Sequence, residues 1–295
     1  CRRFYSIISD LPVFKNGIKE LEELYDTGIL NIQNDEEFLK TIANKNYSIF
    51  VLNAIDSRFH RINELDFGDY DNEIINKILI FICPWCKMLI NLNLSNCTNL
   101  MDVSCLSQCK MLTKLDLGDC IELTDVSCLG QCKMLTELYL NGCTRVADVS
   151  CLSHCKKLTN LSLMYCTEVV DVSCLGQCEM LTILWLIGCT GVVDVSGLSQ
   201  CKMLTTLYLM GCTGVMNVSG LDQCKNLATL NLDGCTGLTD VSGLDKCGML
   251  TNLNLEGCTS LTDVFSLSQY KMLTDLNLFG CTGLTQENVD FIKKE

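Results

Sequence analysis

Basic residues are scarce in this chain. Its 22 Lys and Arg are outnumbered by 35 Asp and Glu, for a formal net charge of −13, and no basic cluster interrupts that balance. A surface built to follow phosphates is excluded, and with it nucleic acid as an expected partner. Histidine is scarcer still, with only His60 and His154 available. No nucleophile, base and orienting group stand out together, so neither catalytic residues nor enzymatic activity are expected. Long apolar runs are also missing: the longest stretch without a charge or turn signal, 78–86, falls well short of the roughly 18 residues of a membrane span. No membrane partner is expected. With 2 prolines, 19% charged and 48% hydrophobic residues, the composition excludes disorder as the main state. No signal peptide is evident, and a chain that starts at Cys1 is expected to be a fragment or a processed product.

What the chain has in excess is cysteine, 23 of 295 residues. That density suits a disulfide scaffold in a short secreted protein, but a chain of this length can build a core without staples. The spacing supplies another reason. Cys97, Cys120, Cys143, Cys166, Cys189, Cys212, Cys235, Cys258 and Cys281 advance by 23 residues each time. A second series runs with the same step from Cys86 through Cys109 and Cys132 to Cys247, until Tyr270 replaces the next member. A third, Cys105, Cys128, Cys151 and Cys174, gives way to Gly197, Gly220 and Gly243. Only Cys1 and Cys83 lie outside the three series.

Within one unit, Cys109, Leu112, Leu115, Leu117, Cys120, Leu123, Val126 and Leu129 are spaced by threes except for one step of two. The step of two marks a strand, where alternate side chains share a face, and the threes suit tight turns and a 3-10 return. The unit LTKLDLGDCIELTDVSCLGQC resembles a leucine-rich repeat, with Cys120 where that family has Asn or Cys. Its DVS-x-L segment is similar to the short convex arc of internalin-like repeats. It departs from them in having Cys or Gly where internalins favour Pro, and one extra residue in the turn. The resemblance covers 86–284 and implies an α/β leucine-rich repeat solenoid: a parallel sheet on the concave face and short turns or 3-10 segments on the convex face. Neighbouring coils must stack, because one unit cannot bury its own apolar face.

Three further regions complete the expected organisation. Phe59, Ile62, Leu65, Phe67 and Tyr70 repeat the strand spacing ahead of an apolar stretch that includes Ile78 and Leu79, so 59–85 is expected to be a longer, degenerate first repeat with a helical back. Residues 285–295 are expected to form a capping helix, with Thr285 as N-cap and Val289 and Ile292 covering the core edge. Residues 1–58 lie outside the repeat, with short helices expected at 18–25 and 36–44. Their first eight residues, CRRFYSII, resemble the end of an F-box, a module that commonly precedes leucine-rich repeats. That resemblance implies a Skp-type adaptor as partner, through an upstream segment absent from this sequence.

The inward cysteines are expected to pack as small hydrophobes whose thiols donate weakly to turn carbonyls. Reduced thiols fit a cytoplasmic location. Cys83-Pro84-Trp85-Cys86 has the CxxC spacing of redox motifs, yet the register places Cys83 at the Leu106 core position. Cys151 to Cys155 with His154 invites a zinc reading, but its side chains diverge between turn and core, whereas zinc needs four converging ligands. No metal or cofactor is therefore expected. Asp102, Asp125, Asp148, Asp171, Asp194, Asp240 and Asp263 should accept from the amides of the turn that follows. Lys110, Lys133, Lys156, Lys202, Lys225 and Lys271 should form a solvated back.

Individuality is confined to the outward positions of the strands, where aromatic and apolar residues concentrate in the middle units. Tyr139, Met164, Tyr165, Ile183, Trp185, Ile187, Tyr208 and Met210 form the expected partner-binding patch for a protein ligand on the concave face. Two functions compete on this basis. One is a cytosolic interaction module, the substrate-recognition part of an F-box and leucine-rich repeat subunit of a cullin-RING (SCF-type) ubiquitin ligase. The other is an internalin-like surface or secreted adhesin.

Overall fold

Leucine at alternate positions, as at Leu115 and Leu117, puts two side chains on one face of an extended segment, and that segment is apolar on one side only. The computed structural model describes residues 64–68, 76, 79, 83, 87–244, 246–269, 272–285, 287 and 288. In it every such segment is a three-residue strand: β1 (Glu64–Asp66), β2 (Asn91–Asn93), β3 (Lys114–Asp116), β4 (Glu137–Tyr139), β5 (Asn160–Ser162), β6 (Ile183–Trp185), β7 (Thr206–Tyr208), β8 (Thr229–Asn231), β9 (Asn252–Asn254) and β10 (Asp275–Asn277). They form one parallel ten-stranded sheet in sequence order. The register never slips: Leu115 lies opposite Leu92 and Leu138, and Leu184 opposite Leu161 and Leu207. This is the leucine-rich repeat solenoid expected from the repeat.

The strands are short because each ends in a turn that needs a left-handed residue. Three positions beyond the strand, Gly142, Gly188, Gly211, Gly234, Gly257 and Gly280 all have positive φ, as do Asn96 and Asp119 in the same column. Gly, Asn and Asp are the residues that tolerate this conformation best. The chain then crosses to the back and forms one 3-10 turn per coil, from Ser104–Gln108 to Phe265–Gln269. Between the two faces lies a continuous core. The leucines and first two cysteine series of the central coils are fully buried, as are the valines at the repeat positions, such as Val146, Val149, Val169 and Val172.

The polar groups of this core are closed by side chains acting across one coil. Cys120 Sγ donates to the Leu94 carbonyl (3.2 Å), Cys143 to Leu117 (3.0 Å) and Cys189 to Leu163 (2.9 Å), a pattern that runs from Cys97 to Cys281. The second series does the same from Cys132 to Cys247, at 3.2 to 3.4 Å. The thiols are thus interior donors, as expected from the sequence. A ladder not foreseen there runs beside them. Thr136 Oγ donates to the Thr113 carbonyl (3.1 Å), Thr159 to Thr136 (2.9 Å) and Thr182 to Thr159 (2.9 Å).

The first coil is longer, as β1 to β2 spans 27 residues. Leu65, Phe67, Leu79 and Cys83 bury against the regular array. The helical Asn76 holds the second coil through the Asn99 carbonyl (2.9 Å) and the Met101 amide (3.1 Å). At the other end, Thr285 Oγ accepts from the Asn288 amide (3.4 Å), and Asn288 Oδ1 accepts from the Thr285 amide (3.0 Å). This reciprocal cap stands ahead of the helical residues 287 and 288. The helices expected at 18–25 and 36–44, the F-box-like 1–8, Cys86, Val289 and Ile292 lie outside the described residues.

The change from cysteine to glycine in the third series has a steric cause. Cys128, Cys151 and Cys174 are half-buried and donate to carbonyls one coil back, at 3.0 to 3.3 Å. At Gly220 a Cβ would lie 2.3 Å from Ser196 Cα, so the backs of those coils touch through backbone. Gly220→Ala should therefore destabilise the protein by about 1–3 kcal/mol, because the atom it meets cannot move aside. Leu184→Asp, which buries an unpaired charge between coils, should unfold the array by several kcal/mol, while Lys202→Ala on the exposed back should change little. Equal denaturant midpoints for Leu184→Asp and Lys202→Ala would overturn the register.

Candidate protein-interaction surface

The outward side chains of the strands make three columns running along the sheet, each step about 4.8 Å. In the middle column, an Asn or Asp folds back onto its own chain. Asp116 accepts from the Gly118 amide (2.9 Å), Asn231 from Asp233 (2.9 Å), Asn254 from Glu256 (2.9 Å) and Asn277 from Phe279 (3.0 Å). Four consecutive coils lack this bond, because their residues are Tyr139, Ser162, Trp185 and Tyr208.

The substituted positions pack as a group. Trp185 and Tyr208 stack with ring centroids 6.4 Å apart and planes 8° from parallel. Ile183 shares β6 with Trp185, while Met164, Ile187 and Met210 follow their strands in the third column, and all four are half-buried. Ser162 sits between Tyr139 and Trp185 and is 3% exposed, with no hydrogen-bond partner for its hydroxyl. Tyr139 is the polar end of the patch. Its hydroxyl donates to Glu137 (3.1 Å), Lys114 Nζ lies 5.6 Å from its ring centre, and burial together with Glu137 raises its pKa.

Tyr165 differs from the position expected for it. It does not stand on the sheet face but occupies the left-handed corner where neighbouring coils have glycine, with φ at 60° and 55% exposure. Its ring lies against Gly188, where a Cβ would come within 2.5 Å of it. Seven of the eight expected patch residues therefore line the face, and Tyr165 forms its rim.

Two features of the face were not assigned from sequence. Past Tyr208, a groove of ≈ 480 Å³ opens over β8 to β10, lined by Thr229, Asn231, Asn252, Asn254, Asp275 and Asn277. The signal was present as a run of Asn and Asp across adjacent columns. The second feature is charge. Glu64, Asp66, Asp116, Glu137, Asp233, Glu256 and Asp275 share the three columns with a single base, Lys114, and Glu137 holds that base at 3.1 Å.

The other sequence candidates resolve into structural parts. Ser104, Ser127, Ser150, Ser173, Ser196 and Ser242 donate their amides at 2.7 to 2.8 Å to the aspartate two residues before. Asn217 takes the same place for Ser219 (3.2 Å). His154 Nδ1 contacts the Cys151 carbonyl and the Ser153 hydroxyl, both at 3.2 Å, while the Cys151 thiol donates to Val126. Among the described residues no group of three metal-ligating side chains converges. Cys83 meets Cys105 of the next coil, Sγ to Sγ 2.9 Å. Burial pushes the thiols of Cys132, Cys155 and Cys201 up to about 12. Since the thiolate is the nucleophile, iodoacetamide at neutral pH should leave these three unmodified in the native protein and alkylate them once the chain is unfolded. Peptide mass spectrometry reads the difference, and native labelling of Cys155 would contradict its placement in the core.

No protein-family model matches the chain, and no curated protein matches it in sequence. Solved structures do. An internalin (InlF) from Listeria monocytogenes is similar over 80% of this chain and 79% of its own, with a TM-score of 0.58 at 19% identity. Internalin C2 (InlC2) from Listeria monocytogenes is similar over 73% of this chain and 89% of its own, with a TM-score of 0.55 at 21% identity. A TLR13–ssRNA13 complex matches 70% of this chain and 37% of its own at a TM-score of 0.50 and 18% identity. These are likenesses of fold. No helix among the described residues is long and apolar enough to cross a membrane.

Proposed function

We propose that this leucine-rich repeat solenoid is a protein-interaction module that holds its partner on the concave sheet face, with Trp185 and Tyr208 as the centre of the contact. One observation carries the reading. Four adjacent coils have replaced the Asn or Asp that bonds its own backbone, and three of the replacements are large aromatic rings brought together on one surface. Copies drifting at random lose such bonds singly, and the losses do not assemble into a stacked pair. Tyr165 adds weight, because a bulky residue in a left-handed corner costs about 1 kcal/mol or more at a position where glycine serves the neighbouring coils. Strain kept at the rim of an aromatic patch suits a residue retained for contact.

Two settings fit such a module. The substrate-recognition part of an F-box ubiquitin ligase subunit, working in the cytoplasm with a Skp-type adaptor, draws on the likeness of 1–8 to an F-box end. It is favoured by the free thiols that fill the core, which suit a reducing compartment. A surface or secreted adhesin draws on the likeness of fold to the internalins. Co-purification of the full-length gene product with a Skp-type adaptor separates them, and a failure to bind any such adaptor removes the ligase reading.

The interface itself is tested by affinity. Trp185→Ala should weaken partner binding by about 2 kcal/mol or more, roughly thirtyfold, and leave the melting temperature nearly unchanged. Asn91→Ala, on β2 and far from the patch, serves as control. A partner that binds Trp185→Ala as tightly as the parent removes this face as the site. Tyr165→Gly should raise stability by about 1 kcal/mol through relief of the left-handed strain while lowering affinity, a pair of effects that calorimetry and denaturant titration measure independently.

A further inference from the structure

The aromatic patch is flanked on both sides by acid. Toward the first coils lie Asp66 and Asp116, and toward the last lie Asp233, Glu256 and Asp275, while the only base of the three columns, Lys114, is taken by Glu137. No basic side chain among the described residues pairs with Asp233, Glu256 or Asp275. An apolar centre between two negative flanks selects a partner with the inverse pattern and repels an anionic one.

The groove over β8 to β10 says more about the backbone of that partner. Asn231 and Asn254 each use their Oδ1 to accept an amide of their own chain at 2.9 Å, which fixes the side chain. Among the described residues their Nδ2 groups have no hydrogen-bond partner, and both residues line the groove. Two fixed donors one strand apart, about 4.8 Å, call for carbonyl acceptors. A helix has spent its carbonyls internally, whereas an extended chain presents them free. From Asp116 on β3 to Glu256 on β9 is six strand steps, about 29 Å, which an extended chain covers in about nine residues.

We propose that the occupant of the concave face is an extended, unfolded segment of a partner protein, about nine residues long, with an aromatic or aliphatic anchor on Trp185 and Tyr208 and Lys or Arg on either side of it. This deepens the interaction reading above and rests on it. Flanking bases meet the two acidic groups through charge-assisted hydrogen bonds, while the carbonyls beyond the anchor accept from Asn231 and Asn254. The same charge pattern rejects single-stranded RNA from this face.

The experiment uses the whole chain, immobilised, against a random library of 12-residue peptides displayed on phage, followed by calorimetry with the enriched peptides as synthetic ligands. Three proteins are compared: the parent, Trp185→Ala, and the charge-neutral variant Asp233→Asn/Glu256→Gln/Asp275→Asn, each checked for an unchanged thermal transition. Enriched peptides should carry Lys or Arg on both sides of an apolar centre. Their Kd should rise about tenfold in the charge-neutral variant and also between about 0.05 and 0.5 M salt. Peptides enriched without charge preference, lost in Trp185→Ala but indifferent to the charge-neutral variant, overturn the basic-segment inference and leave the interaction surface standing. A library that yields no binder, or binders indifferent to Trp185→Ala, overturns both. Stoichiometric binding of a mixed-sequence single-stranded RNA that is lost in Trp185→Ala also overturns the inference, since an acidic face should refuse it.

Discussion

A coil of this protein can neither bury its apolar residues nor pair its strand backbone without the next coil. The leucines of one strand have a neighbour only across the sheet, and carbonyls such as Leu94, Leu117 and Leu140, which accept an amide of their own turn, take a second donor when a cysteine thiol from the following coil reaches them. Both demands are met only if the strand and the turn that follows it keep the same spacing in successive coils; the longer first coil keeps Leu65 opposite Leu92 and the Cys97 thiol on the Phe67 carbonyl. Inserting or removing a residue between strand and turn would carry a thiol off its carbonyl and turn a leucine outward in the same step, so the two constraints enforce one another. Cysteine suits this place because it is small enough for a crowded turn, apolar enough for a dry core and still a weak donor. With the thiol pKa raised by burial, it remains a donor over the whole range in which the protein would work.

This constraint decides where the molecule can vary. The interior letters are committed to the stack, and the aspartates and asparagines that open the 3-10 turns are committed to the amides two residues on. What is left free is the sheet face, and even there the Asn or Asp of the middle column is engaged by its own chain in most coils. The aromatic patch therefore arises at a measurable local expense, namely a backbone amide at Asn141, Met164, Ile187 and Met210 without the side-chain acceptor that its counterparts enjoy. The residues proposed to carry recognition stand where the fold would have chosen something else, and Tyr165 in its left-handed corner is the sharpest case.

Most of the fold was legible because the period made it so. A step of two among steps of three located every regular strand, and the three cysteine series located the interior. The aspartates before each turn were legible for the same reason. The threonine ladder was equally periodic, but Thr113, Thr136 and Thr159 precede the strand and read as ordinary strand formers; only the coordinates reveal that their hydroxyls bond one coil back. The candidate site was legible as a composition, not as a surface. The sequence shows which units are aromatic, but it cannot show that Trp185 stacks on Tyr208, that Ser162 is sealed between its neighbours, or that Tyr165 leaves the sheet. Those depend on side-chain directions that a repeating pattern does not encode.

The switch from cysteine to glycine on the back has a consequence for the face. Where Cys128, Cys151 and Cys174 stand, the coils are held apart by a side chain wedged against the preceding turn; where Gly197, Gly220 and Gly243 stand, backbone meets backbone with no room for a Cβ. Strand spacing in the sheet is set by hydrogen bonds and does not change between the two halves. A back without side chains between the coils leaves those coils held there by backbone contact alone. The boundary falls between the coil of β5 and the coil of β6, under Trp185. The aromatic centre thus sits over the change from cysteine to glycine, and the groove lined by Asn231 and Asn254 lies over the glycine-backed coils. The proposed segment would cross that change at its apolar anchor, so that two parts of one surface meet two chemically different parts of one ligand.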